Sequence, residues 1–498
     1  TARFHRGVST YPAIGDPAML IGTRELRIIY DTARSNTIDV GSLHQDAAIG
    51  AYLNVDDLLS KHFALLGTTG VGKSSGMALI LNEILAARPD LRVFLLDVHN
   101  EYGRCFGDHA VVLNLRNLKL PFWLFNFEEF IDVIFGARPG LEEEAEILAE
   151  LIPQAKNAYA QSRNATERPL VKRSDQRSAG FTADTPVPYR LDELVRLIDE
   201  RLGKLENRAS RLKYHKVMTR IEVVRNDPRY AFMFDSANVG GDTMADVLKQ
   251  LFRLTQDGRS MSIMQLAGFP AEVLDSVVSV LCRMAFDFGQ WSDGAVPLLF
   301  VCEEAHRYAS ADHSIGFGPT RRALSRIAKE GRKYGTYLAL VTQRPAELDA
   351  TIISQCNTLL AMRLANERDQ ALLRSAVSDA AANLLGFVSS LGTGEVLAFG
   401  EGVALPARLK FRELPREFTP RSEALRDRTI DANAGNPDEF IDAAIERWRG
   451  ATMSSKWRGD TAPGTVPREA LAESAPIDPG VRADRPSVLR KSAAARVL

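Results

Sequence analysis

Residues 67 to 74 read Gly67-Thr68-Thr69-Gly70-Val71-Gly72-Lys73-Ser74, a complete G-x-x-x-x-G-K-[ST] phosphate-binding loop. Glycines let successive backbone N–H groups curl around the β- and γ-phosphates of a nucleotide. Lys73 offers those phosphates a mobile point charge, and the Ser74 hydroxyl is placed to ligate Mg2+. Such a loop needs a strand before it and a helix after it. The apolar run Phe63-Ala64-Leu65-Leu66 supplies the strand, and Ser75 to Ala87 the helix, whose positive N-terminal end faces the phosphates. The pattern implies a bound nucleoside triphosphate, held by Gly67, Thr68, Thr69, Gly70, Val71, Gly72, Lys73, Ser74 and Ser75.

Hydrolysis requires more than a cradle. An acid must hold Mg2+ through water, and a base must orient the attacking water. The run Leu298-Leu299-Phe300-Val301-Cys302-Glu303-Glu304 ends an apolar strand in paired carboxylates, and ligands of open α/β sheets bind outside such strand ends. Glu303 is assigned to the Mg2+ shell and Glu304 to the catalytic base. His306 has no second His or Cys at metal-ligand spacing, so its expected role is confined to hydrogen bonding beside the pair.

Downstream, Val341-Thr342-Gln343-Arg344-Pro345 places Gln343 at the end of the strand expected next to the Glu303–Glu304 strand. There its amide can read the γ-phosphate or the water. Arg332, in Glu330-Gly331-Arg332-Lys333-Tyr334-Gly335, is a candidate arginine finger that stabilises growing transition-state charge. Arg326, Arg344 and Arg363 are its rivals, and spacing alone does not separate a finger acting in its own chain from one acting on a neighbour.

The elements that position these groups alternate as in an α/β fold. A second buried strand spans Arg92 to Val98, with Asp97 at its carboxyl end. Further strands are expected at Ser262–Ala267, Pro297–Cys302, Tyr337–Thr342, Thr358–Leu364 and Gly394–Phe399, with a helix at Arg321–Tyr334. Between them, helical periodicity at Glu128–Ala137, Glu142–Ala160 and Leu191–Arg225 marks an insertion, with the polar loop Ser162–Ala183 inside it. Its Arg201–Arg229 portion mixes Arg and Lys with Glu and Asp, the pattern of a solvated amphipathic face. Ahead of the core, Ala18–Ile21, Leu26–Tyr30 and Thr37–Val40, set among turn signals, read as a small β-element. Behind it, a helical stretch at Asp438–Trp448 precedes a Pro-, Gly- and Arg-rich tail.

The 498 residues carry a net charge of −1, with 45% hydrophobic and 25% charged residues, which suits a globular protein and excludes a wholly basic one. A ring can still confine positive charge to its pore. Cys105, Cys282, Cys302 and Cys356 form no C-x-x-C pair and are expected to be reduced and buried, as in the cytoplasm. No apolar stretch is long enough to span a membrane, and the opening Thr-Ala-Arg-Phe-His-Arg leads into no signal-peptide core.

These motifs, taken in order, resemble the HerA branch of the HerA/FtsK translocases. The resemblance rests on His62 through Ser74, Asp97-Val98-His99-Asn100-Glu101-Tyr102, Glu303-Glu304-Ala305-His306, Glu330 through Gly335, Thr342 through Pro345, and Ser354 through Thr358. It covers roughly residues 10 to 410. The implied fold is an α/β P-loop, RecA-like ATPase core with a helical insertion, a partial N-terminal β-barrel and a flexible C-terminal tail. The corresponding divisions are 1–55 for the β-element, 56–126 and 256–412 for the core, 127–255 for the insertion and 413–498 for the extension. Residues 1 to 50, especially Tyr11-Pro12-Ala13-Ile14-Gly15-Asp16, look like the second half of the barrel with which such proteins begin.

What the resemblance implies is a homo-hexameric ring that uses ATP and Mg2+ to thread double-stranded DNA through its pore, with Lys73, Ser74, Glu303, Glu304, Gln343 and Arg332 carrying the chemistry. Family members look like partners of a NurA-type nuclease or of sirtuin-like and other anti-phage effectors. This chain has no clustered nuclease residues, so cutting is expected from a partner. Two other readings use the same loop: an assembly platform that organises an effector, and a small-molecule kinase, which accounts poorly for Glu303–Glu304 and the long insertion. Pore contacts to DNA are expected from Lys and Arg, with the pair Arg321–Arg322 after Gly316-Phe317-Gly318-Pro319-Thr320 as a candidate.

Overall fold

The computed structural model describes residues 11–421, apart from 31–35, 137–139, 168–179, 205–206, 236–240, 256, 315 and 378–382, together with residues 4, 6, 7 and 445. The tail expected after residue 413 lies outside the described residues from 422 on, as does the helical stretch expected at Asp438–Trp448, Ile445 aside.

Eleven strands among the described residues build one sheet. They are β1 (Thr37–Leu43), β2 (Asp46–Asn54), β3 (His62–Leu66), β4 (Arg92–Asp97), β5 (Ala110–Leu113), β6 (Met261–Gln265), β7 (Leu298–Cys302), β8 (Thr336–Thr342), β9 (Cys356–Ala361), β10 (Glu395–Gly400) and β11 (Ala407–Phe411). Their order is β2-β1-β11-β10-β9-β3-β8-β7-β4-β6-β5. From β9 to β5 every pairing is parallel, whereas β10, β11, β1 and β2 add antiparallel ladders. Parallel strands covered on both faces need continuous apolar runs, and β3, β6 and β7 are buried at every position.

Alternation sorts the side chains of each strand between two cores. Phe63 and Leu65 join the helix Lys73–Ala87 on one face. Ala64 and Leu66 face the other core, which holds the helices Ala271–Trp291 and Gly318–Glu330. Helical crossovers leave the carboxyl ends of all seven parallel strands at one edge, and the loop of residues 67–72 leaves β3 there.

The connection from β5 to β6 is helical. It contains Phe127–Phe135, Glu142–Glu167, Leu191–Lys204, Arg208–Arg225 and Met244–Phe252. The periodicity of Leu191–Arg225 suggests one helix; the chain instead restarts at Asn207, whose side chain caps the second helix by accepting from Ala209 N. Asn126 and Glu129 form a reciprocal capping box at the first helix. The same Glu129 is buried, pairs with Arg283 at 2.8 Å and accepts from Ser279 at 2.8 Å, pinning the insertion to the helix behind β7 and β8. Basic groups of the insertion are taken up in ion pairs, including Arg201 with Glu150, Lys216 with Glu144 and Arg225 with Asp192. That matches an amphipathic solvated surface.

Before the core, the structure departs from an all-β reading. Leu26–Tyr30, expected to be extended, lies in the helix Thr23–Tyr30. Leu26 and Tyr30, four residues apart, turn the same face to the core, so the apolar spacing was helical in period. Ala18–Ile21 forms no strand and is exposed. The hairpin β1–β2 extends the central sheet, and among the described residues it closes no separate barrel. All four cysteines are free and buried. No helix among the described residues is long and apolar enough to cross a membrane.

Candidate nucleotide site

Three glycines shape the loop for different reasons. Gly70 and Gly72 sit at φ 77° and 98°, in the left-handed region. A side chain at Gly67 would come within 2.8 Å of Met362 Cβ, just past the end of β9. Gly72 precedes the helix Lys73–Ala87 with no side-chain cap, leaving first-turn N–H groups open to an anion. The loop is anchored to both neighbouring strand ends. Gly67 N donates to Thr342 O at 3.2 Å, Thr68 N to Arg363 O at 2.9 Å, and Gly394 N to Val71 O at 3.0 Å.

Lys73 folds back onto the loop, its Nζ donating to Thr68 O at 2.9 Å. Burial lowers the pKa of its ammonium, opposed by the carboxylates of Glu304, Glu303 and Glu101, which therefore gather round it. Glu303 and Glu304 follow β7 directly and are 3% and 7% exposed. Glu303 Oε2 accepts from Val98 N at 3.2 Å. Burial, reinforced by Asp97, Glu101 and Glu304, pushes the Glu303 carboxyl well above the usual range. Burial likewise raises Asp97 to about 6, against the two backbone N–H groups that it accepts.

Those two bonds, from Glu101 N and Tyr102 N at 3.0 Å each, close a tight turn after β4. Within it Asn100 takes φ 56°, a conformation that asparagine tolerates better than most residues. The turn aims Glu101 back at the loop, where Glu101 Oε2 accepts from Ser74 Oγ at 2.9 Å. Glu101 had no role in the residue-by-residue reading; its signal was an acid four positions after a strand-end aspartate. One ammonium amid several carboxylates leaves an excess of negative charge and oxygen donors, which suits a hard divalent cation. No three His, Cys, Asp or Glu side chains among the described residues converge on one metal position. A cation here would thus be held through Ser74, phosphate oxygens and water, the habit of Mg2+.

Glu304 has φ 48°, a left-handed strand end that turns its side chain into the site. Its Oε2 is buried and makes no hydrogen bond, although His306 Nδ1 lies 3.3 Å away; His99 Nε2 stands 3.8 Å from Oε1. The His306 nitrogen is instead engaged with Thr342 Oγ1 at 3.0 Å. Because β8 lies between β3 and β7, Gln343 reaches the loop, and its Oε1 accepts from the Thr69 hydroxyl. Lys73, Ser74, Glu303, Glu304 and Gln343 are thus brought together.

Arg332 is not. It precedes the amino end of β8, whereas Gln343 follows the carboxyl end, and seven residues of strand put roughly 20 Å between them. The exposed Arg332 therefore lies away from its own chain's loop, on the far side of the sheet. Arg326 stacks over the Phe286 ring at 4.1 Å and bonds Gln290, so it is structurally engaged. Arg344 pairs with Glu347 next to Gln343, and the Arg363 carbonyl supports Thr68. Arg322 pairs with Glu128.

A sequence profile described as the central domain of the helicase HerA matches residues 38–285. A DNA double-strand break repair helicase HerA of Pyrococcus furiosus is 26% identical over 428 residues, covering 78% of this chain and 72% of that protein. A probable helicase of Methanocaldococcus jannaschii is 25% identical over 399 residues, covering 76% of this chain and 71% of its own. Among solved structures, the plasmid coupling protein TrwB in complex with ADP and Mg2+ covers 79% of this chain and 93% of its own, at 15% identity and a TM-score of 0.48. With the ordered motifs and the site they assemble, the sequence relatives place the chain in its family: it is a HerA-type ATPase.

Proposed function

We propose that this chain is an ATP-hydrolysing motor that assembles as a homo-hexameric ring and translocates double-stranded DNA, alongside a separate nuclease or effector in DNA end processing or anti-phage defence. The observation that carries the reading is the convergence of Lys73, Ser74, Glu304 and Gln343 on the carboxyl ends of three adjacent strands, β3, β8 and β7. A switch that only binds nucleotide has no need of a buried base beside the phosphate loop. The description of the relatives as DNA repair helicases supports DNA as the track.

In this reading residues 67–75 cradle the ATP phosphates, with Lys73 swinging from Thr68 O to the γ-phosphate. Ser74 directly, and Glu303 by way of water, would hold Mg2+, which when bound would supply charge neutralisation to the β- and γ-phosphates. Glu304 takes the proton of the attacking water, and Gln343 orients that water against the γ-phosphate. Arg332, remote from its own loop, acts on the nucleotide of the neighbouring subunit. The division into a core of 56–126 and 256–412, an insertion of 127–255, and flanking segments 1–55 and 413–498 belongs to the same proposal.

The test is ATP turnover with and without duplex DNA, together with the mass of the particle in ATP. A hexamer whose turnover rises on DNA, and whose DNA binding weakens steeply with salt as counterions are released, is the expected result. Turnover and binding both indifferent to duplex DNA would overturn the motor reading and leave the assembly platform.

A further inference from the structure

We propose that His306 is a positioning residue that couples the Glu304 carboxylate to the end of β8, so that the base aligns when Gln343 engages the γ-phosphate. This rests on the reading of Glu304 as the base. Three observations lead to it. Glu304 Oε2 is buried without a hydrogen bond, a costly state for a carboxylate that something must relieve during the cycle. The nearest donor is His306 Nδ1 at 3.3 Å, but that nitrogen is committed to Thr342 Oγ1 at 3.0 Å. Thr342 in turn accepts from Arg344 N at 3.1 Å, and its chain neighbour Gln343 is tied to Thr69 in the phosphate loop.

One nitrogen thus faces two acceptors on different strands. A neutral imidazole with its proton on Nδ1 can satisfy Thr342 or Glu304 fully, but not both. When a γ-phosphate takes Gln343 from Thr69, the end of β8 shifts, Thr342 Oγ1 moves with it, and the Nδ1–H becomes available to Glu304. The carboxylate is then oriented through one oxygen while the other faces the water. Without the γ-phosphate the donor stays on Thr342 and the base is left misaligned. No bond to the nucleotide is made by His306 itself.

The experiment measures ATP turnover and the affinity for a non-hydrolysable ATP analogue in wild type, His306→Ala, His306→Asn, His306→Gln and Glu304→Gln. An asparagine amide nitrogen can occupy the place of Nδ1, whereas a glutamine amide reaches the place of Nε2. The expected pattern is a loss of about tenfold or more in kcat for His306→Ala with analogue affinity unchanged within about twofold. His306→Asn recovers most of the loss and His306→Gln does not. In the Glu304→Gln background His306→Ala produces no further loss. Equal rescue by Asn and Gln, or full turnover in His306→Ala, would overturn the coupling while leaving the motor intact. Wild-type turnover in Glu304→Gln alone would instead overturn the base assignment, and this proposal with it.

Discussion

The Ser74 hydroxyl donates to Glu101 Oε2 at 2.9 Å, which ties the proposed Mg2+ ligand to the turn after β4 rather than to the paired acids after β7. Partners that orient a metal ligand are worth about 10- to 100-fold in metal affinity. Glu101→Gln is therefore expected to weaken nucleotide binding about tenfold in the presence of Mg2+ and hardly at all in EDTA. Titration with a fluorescent ADP in both buffers checks it. The same loss in EDTA would show that Glu101 only shapes the turn.

In the proposed mechanism Lys73 and Glu304 make separable contributions. Glu304→Gln keeps the size of the side chain and removes the base, so turnover should fall by about 10²- to 10⁴-fold while ATP stays bound. Lys73→Ala removes the charge that reaches the phosphates and should weaken binding itself. Single-turnover hydrolysis and equilibrium binding on both variants distinguish the two losses.

Burial raises the Asp97 carboxyl from 3.8 to about 6. The folded chain then holds this proton to higher pH than the unfolded chain does. Charging Asp97 costs no folding stability below about pH 4; the cost grows as pH rises through 6 and levels off on the order of 3 kcal/mol. Asp97→Asn does not titrate there. Its melting temperature relative to wild type, measured without Mg2+ or nucleotide, should climb between pH 4 and pH 7. An offset that is flat across that window would refute the assignment.

Arg332 stands at the amino end of β8, with the nucleotide loop beyond the other end of the sheet. Arg332→Ala should abolish turnover in a uniform assembly without weakening nucleotide binding. Mixing Arg332→Ala with Glu304→Gln subunits should restore part of it, because some interfaces then join an intact base to a neighbour's intact arginine. Absence of any restoration would place the effect of Arg332 within its own chain.

The chemistry was legible in the chain itself because it is local. The phosphate loop needs glycines at fixed spacing (Gly67, Gly70 and Gly72), then Lys73 and Ser74; the acids Glu303 and Glu304 follow directly on an apolar run; and both patterns survive in any arrangement of neighbours. The alternation of buried strands and helices was equally readable, since β3, β4 and β6 to β10 coincide closely with apolar runs. The short β5 and the partly exposed β11, whose burial alternates, carried weaker signals and were not anticipated. Near the start, the spacing of Leu26 and Tyr30 served a helix where strands were expected.

Apart from the pairing of β8 with β7, which was expected, strand order was decided by the tertiary structure alone. An apolar run specifies a strand but not which strand lies beside it, because that choice depends on how distant helices pack across the sheet. Placing β8 between β3 and β7 brings Gln343 to Thr69 and Thr342 to His306. The same packing turns Glu101 toward Ser74 and sets Arg332 at the opposite edge from its own loop. Sequence thus determined which groups can act on a nucleotide, and the long-range pairing of strands decided which of them meet.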